Sequence, residues 1–79
     1  MKLFENVKNY IGENKFRLII YSDKVNIVNY DSIEEIGATK IIFNADKQIT
    51  IEGKNLIFNK LLNKEILVTG DIEKIYFNE

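Results

Sequence analysis

The feature that most restricts this chain is a two-residue alternation of apolar and polar side chains, repeated in short runs from Phe16 onwards. Val25-Asn26-Ile27, Ile49-Thr50-Ile51-Glu52 and Ile66-Leu67-Val68-Thr69 carry it. Successive side chains of a strand point to opposite faces, so such runs predict strands with one face buried and one face wet. Strands are expected over Phe16–Tyr21, Val25–Tyr30, Ile33–Ile36, Lys40–Asn44, Gln48–Glu52, Leu56–Lys60, Glu65–Thr69 and Glu73–Phe77. Asp31–Gly37 could equally form one helical turn. The intervening Ser22-Asp23-Lys24, Asn44-Ala45-Asp46-Lys47 and Asn63-Lys64 have turn chemistry, because Asn and Asp side chains bond to nearby backbone and tolerate positive φ. Strand starts recur every eight to ten residues, which suits an all-β, mainly antiparallel meander folded as a sandwich or open barrel.

Two departures from alternation carry information. The doublets Ile19-Ile20 and Ile41-Ile42 followed by Phe43 suggest strands covered on both faces, by a helix or by a second subunit. Ile51-Glu52-Gly53 is echoed by Val68-Thr69-Gly70. Glycine inside a strand marks a sharp bend or a close backbone approach, so Gly53 and Gly70 are read as structural turn positions, with Asn29 as a third. A repeated bend also leaves a short β-solenoid as the alternative architecture, although such folds need about three repeats.

Ahead of the β region, Leu3, Phe4, Val7, Tyr10 and Ile11 share one face of a 3.6-residue period. They predict a short amphipathic helix over residues 1–12, stopped by Gly12, with residues 13–79 forming a single β domain.

Composition limits the chemistry. The chain of 79 residues contains no Cys and no His. Disulfides, thiolate nucleophiles, the usual general base and the commonest zinc ligand are therefore missing. Its four glycines stand apart from one another, so no phosphate-cradling loop is expected. The carboxylates Glu34, Glu35, Glu52, Asp71 and Glu73 read as solvated strand-end and turn residues rather than a catalytic pair. No enzyme activity, cofactor, metal or small-molecule substrate is expected. The net charge of −1, with a single Arg and dispersed Lys, argues against nucleic acid as partner. The alternative is a small β-barrel binding single-stranded nucleic acid or another ligand, which would need Lys15, Arg17, Lys40, Lys54 and Lys60 on one face with Tyr21 or Phe58. No run approaches the ~20 apolar residues of a membrane span, and the N-terminus has no signal-like apolar core, so a soluble, cytoplasmic chain is expected.

A domain this small buries only about 60% of its unfolded surface, so packing against another polypeptide is a natural source of stability. Tyr76 and Phe77, as strand neighbours, must face opposite ways, and Phe58 stands in the same relation to Ile57. Phe58, Tyr76, Phe77, Ile20 and Ile42 are the expected interface residues of a homo-oligomer or a complex with another protein.

The stretch Arg17–Phe77 resembles the YabP/YqfC family of small sporulation proteins. The likeness lies in Leu18-Ile-Ile, Val25-Asn-Ile-Val-Asn-Tyr30 and Ile33-Glu-Glu-Ile36. It continues through Ile41-Ile-Phe43, Ile49-Thr-Ile-Glu-Gly-Lys-Asn-Leu56 and Glu65-Ile-Leu-Val-Thr-Gly-Asp-Ile-Glu-Lys-Ile75. The chain departs from that family's pattern in lacking a proline-containing lead-in and in carrying Asp31-Ser32 where a glycine often precedes the apolar pair. The resemblance implies a non-enzymatic protein of the mother-cell compartment during spore formation, paired with a membrane-associated protein partner.

Overall fold

A computed structural model describes the backbone of residues 8–11 and all of residues 16–78. The strands are β1 (Lys8–Ile11), β2 (Arg17–Ile20), β3 (Lys24–Val28), β4 (Ser32–Ile36), β5 (Lys40–Asn44), β6 (Gln48–Leu62) and β7 (Glu65–Asn78). They form one seven-stranded sheet in the order β1-β2-β3-β7-β6-β5-β4. Every pairing is antiparallel. The described part of the chain is thus all-β.

β6 and β7 hold the sheet together. They pair along their whole length, but each shares its other side over only one half. β5 pairs with residues 48–52 of β6, whereas β3 pairs with residues 65–69 of β7. Because the two outer partners sit at opposite ends of the hairpin, the sheet divides into two layers. The first contains β1, β2, β3, residues 65–69 and residues 57–62. The second contains residues 72–78, residues 48–52, β5 and β4.

The layers fold onto each other. A flat seven-stranded sheet would be about 10 Å thick, yet the smallest extent of this molecule is 25 Å. Leu18, Ile20, Val25, Ile27, Ile66 and Val68 from the first layer join Ile41, Phe43, Ile49 and Ile51 from the second in one buried cluster. Phe16 and Phe43 meet across the layers with ring centroids 6.4 Å apart.

The fold line falls at the two glycines. The β6–β7 register shifts between Glu52 and Gly53 and again between Lys54 and Ile57. An added Cβ at Gly53 would lie 2.1 Å from the Asp71 carbonyl oxygen, and one at Gly70 would lie 2.4 Å from that of Asn55. Gly70 also has φ 119° and Asn55 φ 53°. The glycines therefore let two backbones cross closely where the hairpin creases, and the bulges sharpen the bend. Leu56 and Ile72 are buried at the crease. The echo between these segments reflects two strands bending against each other. The solenoid alternative does not fit a sheet in which every neighbour is antiparallel.

The crease also explains the eight expected short strands. Gln48–Glu52 and Leu56–Lys60 are two halves of β6, and Glu65–Thr69 and Glu73–Phe77 are two halves of β7. The meander is interrupted once, since β3 neighbours β7 rather than β4. Residues 29–31 cross from the first layer to the second. Asn29 takes φ 62°, its N–H donates to Lys64 O at 2.7 Å, and the Asp31 N–H donates to Asn44 O at 2.7 Å. Lys64 Nζ donates to Asp31 O at 2.9 Å and stands 5.4 Å from the ring centre of the buried Tyr30.

Most of the helix expected over residues 1–12 lies outside the described residues. Within its span Lys8–Ile11 is described, and it is strand β1, paired with β2 in the register Lys8 to Ile20 through Ile11 to Arg17. Four residues with a strand edge beside them gain ladder hydrogen bonds at once, whereas an isolated short helix is marginal.

Candidate interaction site

The expected interface residues separate into three environments. Ile20 is buried in the core. Phe58 and Phe77 are half-buried and pack against the core from the inner side of β6 and β7. Ile42 and Tyr76 lie on the outer face of the second layer, on either side of Thr50. Tyr76 is held there, with its hydroxyl donating to Glu52 Oε2 at 2.9 Å and Lys74 Nζ 5.0 Å from its ring centre. The doublets divide similarly: Ile41 and Phe43 face inward, while Ile19 and Ile42 are half-buried on the outer faces.

Thr50 was expected to be wet, yet it is only 1% exposed. It sits in the central strand of the second layer between Ile42 and Tyr76, whose larger side chains close over it. Asn78 Nδ2 donates to Thr50 Oγ1 at 2.9 Å and to Gln48 Oε1 at 2.8 Å. Gln48 Nε2 donates in turn to Glu34 Oε2 at 2.8 Å. Asn44 Nδ2 donates to the same carboxylate oxygen and to Ser32 Oγ. This polar ladder crosses four strands and ends on Glu34. Donation from Gln48, and then from Asn44, holds the Glu34 carboxyl below its ordinary pKa of 4.5.

The remaining charged residues are spread over the molecule. Glu52 lies 4.0 Å from Lys40, and Glu73 lies 3.8 Å from Lys54. Arg17 is exposed at the end of β2 and Lys60 at the far half of β6, with Tyr21 half-buried beyond β2. Lys15 lies outside the described residues. The described bases among those named for a nucleic-acid face are therefore not gathered on one. Among the described residues, no three His, Cys, Asp or Glu side chains are grouped so as to hold a metal ion, and no helix is long and apolar enough to cross a membrane.

The most exposed apolar side chains lie elsewhere. Ile57 is 57%, Leu61 48% and Leu62 66% exposed in the far half of β6, and Ile36 is 56% exposed at the end of β4. Ile57 pairs with Thr69, and Leu62 with Glu65, on the outer face of the first layer. Leu61 is the extra residue of the bulge between Lys60 and Leu62. Leu67 and Val28 are half-buried on the same face. Residues 57–62 have β7 on one side and, among the described residues, no strand on the other. Sequence reasoning passed over Leu61 and Leu62. Their signal was an apolar doublet directly before the Asn63-Lys64 turn, where a buried strand would already have ended.

The class so defined is a small antiparallel β domain, creased along one hairpin, with an apolar stripe beside an open strand edge. Comparisons with protein-family models, curated proteins and solved structures find no match for the chain.

Proposed function

We propose that this chain is a non-enzymatic protein–protein interaction module of the sporulation programme, acting in the mother-cell cytoplasm with a membrane-associated protein partner. The observation that carries the interaction reading is the stripe Ile57, Leu61 and Leu62 on the half of β6 that, among the described residues, has a strand on one side only. Exposed aliphatic side chains on an open edge are an aggregation hazard unless a partner covers them. An added strand supplies both main-chain hydrogen bonds and apolar contact, which is a recurrent mode of peptide recognition. The sporulation setting is supported by the resemblance of Arg17–Phe77 to the YabP/YqfC family.

The test is affinity capture from sporulating cells with the tagged chain and with I57K/L62K, followed by reconstitution from purified components. One polypeptide enriched by the wild type, lost with the variant and rebinding when purified is the expected result. Equal recovery by both chains would remove the stripe as the docking surface. A chain that enriches nothing and stays monomeric at every concentration would end the interaction reading.

A further inference from the structure

We propose that the open edge of β6 receives a second copy of this chain, paired antiparallel about a two-fold axis at Asn59. This rests on the reading of the chain as an interaction module: the main-chain edge of β6 goes to a second copy in a stated register, while the outer-face stripe stays open to the protein partner.

The backbone comes first. Along a strand, the N–H and C=O groups of alternate residues point to opposite sides. The Leu56 N–H turns away from β7 and donates to Ala38 O at 2.8 Å. Phe58 and Lys60 follow at two-residue intervals, in unbroken register with Val68 and Ile66. Their N–H and C=O groups therefore face the open edge. A two-fold axis at Asn59 sets Phe58 opposite Lys60 of the second copy, and each such pair exchanges both main-chain hydrogen bonds.

Charge then selects the axis. Lys60 is the only charged residue between Lys54 and Lys64. Centring on Lys60 would place two ammonium groups directly opposite each other, which is unfavourable. Centring on Phe58 would require the Leu56 amide, already bonded to Ala38. Centring on Asn59 places Lys60 against the Phe58 ring, a cation–π arrangement. On the outer face the same register sets Ile57 against Leu61 of the second copy. Both are about half exposed in the single chain, at 57% and 48%.

The edge at β4 does not offer this. It carries Glu34 and Glu35 in succession and a register shift between Ile33 and Glu35, so two copies meeting there would oppose carboxylates across an irregular ladder. Pairing through so short a stretch of β6 buries less than the ~1,200 Å² of a standard stable interface, so the dimer is weak and concentration-dependent.

The experiment uses the full chain at about 10 µM to 1 mM, a range that brackets weak association. Sedimentation equilibrium should show a monomer–dimer equilibrium, and the amides of Phe58 and Lys60 should gain hydrogen-exchange protection as dimer forms. N59D puts two carboxylates on the axis and should abolish dimer without changing the monomer's melting curve. Because the chain has no cysteine, mild oxidation of single-cysteine variants at 57 to 61 should give disulfide-linked dimer most efficiently for Asn59→Cys. A wild-type monomer at 1 mM, or growth into open polymers, overturns the proposal. A dimer insensitive to N59D, with no cross-link maximum at 59, also overturns it while leaving the interaction reading intact, since association would then use another surface.

Discussion

Gly53 and Gly70 are the residues least open to change, because each faces the partner strand's backbone rather than a movable side chain. A methyl group at either position must displace a carbonyl oxygen that would otherwise lie 2.1 or 2.4 Å away. At Gly70 the φ of 119° adds backbone strain for any L side chain. Gly53→Ala and Gly70→Ala should each lower stability by about 2–4 kcal/mol, combining strain and steric displacement, as read by urea denaturation. Equal midpoints for wild type and variants would show that the crease can relax. Glu34 makes the other prediction at this scale. Its folded-state carboxyl titrates below 4.5 because Gln48 and Asn44 donate to it. The contribution of these hydrogen bonds is full above the unfolded pKa and is lost as pH falls through the lower folded value. The side-chain amide resonances of Gln48 and Asn44 should therefore shift together in that acid range, and Gln48→Ala should move the Glu34 titration upward.

At the level of elements, β6 does two jobs along one strand. Its first half is central, with β5 on one side and β7 on the other, and even its outward Thr50 is covered. Its second half has lost β5 and exposes its aliphatic side chains. Side-chain alternation reports which face a strand residue takes and not how many strands lie alongside, so it does not separate the covered first half of β6 from the open second half. The polar ladder fastens the first half to the end of β7. Thr50→Val should cost about 1 kcal/mol, the net value of a typical hydrogen bond, since Asn78 loses one acceptor but keeps Gln48. Most of that cost should vanish in an Asn78→Ala background, a coupling that a double-mutant cycle measures. Additive effects would show that the two side chains do not act together.

At the level of the whole molecule, one core serves both layers. Phe16 and Phe43 are each almost fully buried and touch across the fold. Truncating either to Ala removes a large side chain and leaves a cavity, a cost of about 3–5 kcal/mol. A domain of this length has only about 4–12 kcal/mol in total. F43A should therefore lie close to the limit of folding, and amide signals from β3 and β5 should disappear at one common temperature. Separate melting of the two layers would mean that the shared core is not cooperative. The creased sheet also leaves strand edges that a closed barrel would lack.

The amino-acid sequence by itself determined the strand segments from β2 onward apart from Asp31–Gly37, the inward faces of the alternating runs, the turn residues and the two glycine bends, because alternation and positive-φ chemistry are local properties. Val25, Ile27, Ile49, Ile51, Ile66 and Val68 were legible as core on that basis, whereas within Ile41-Ile42-Phe43 only the structure separates the inward Ile41 and Phe43 from the outward Ile42. Only the tertiary structure decided that four expected short strands are two long ones, that β3 lies beside β7, and that Lys8–Ile11 adds to the sheet. It also decided that Thr50 is buried while Ile57, Leu61 and Leu62 are exposed. Those outcomes depend on which strands become neighbours across the crease, and neighbours distant in sequence leave no periodic trace along the chain.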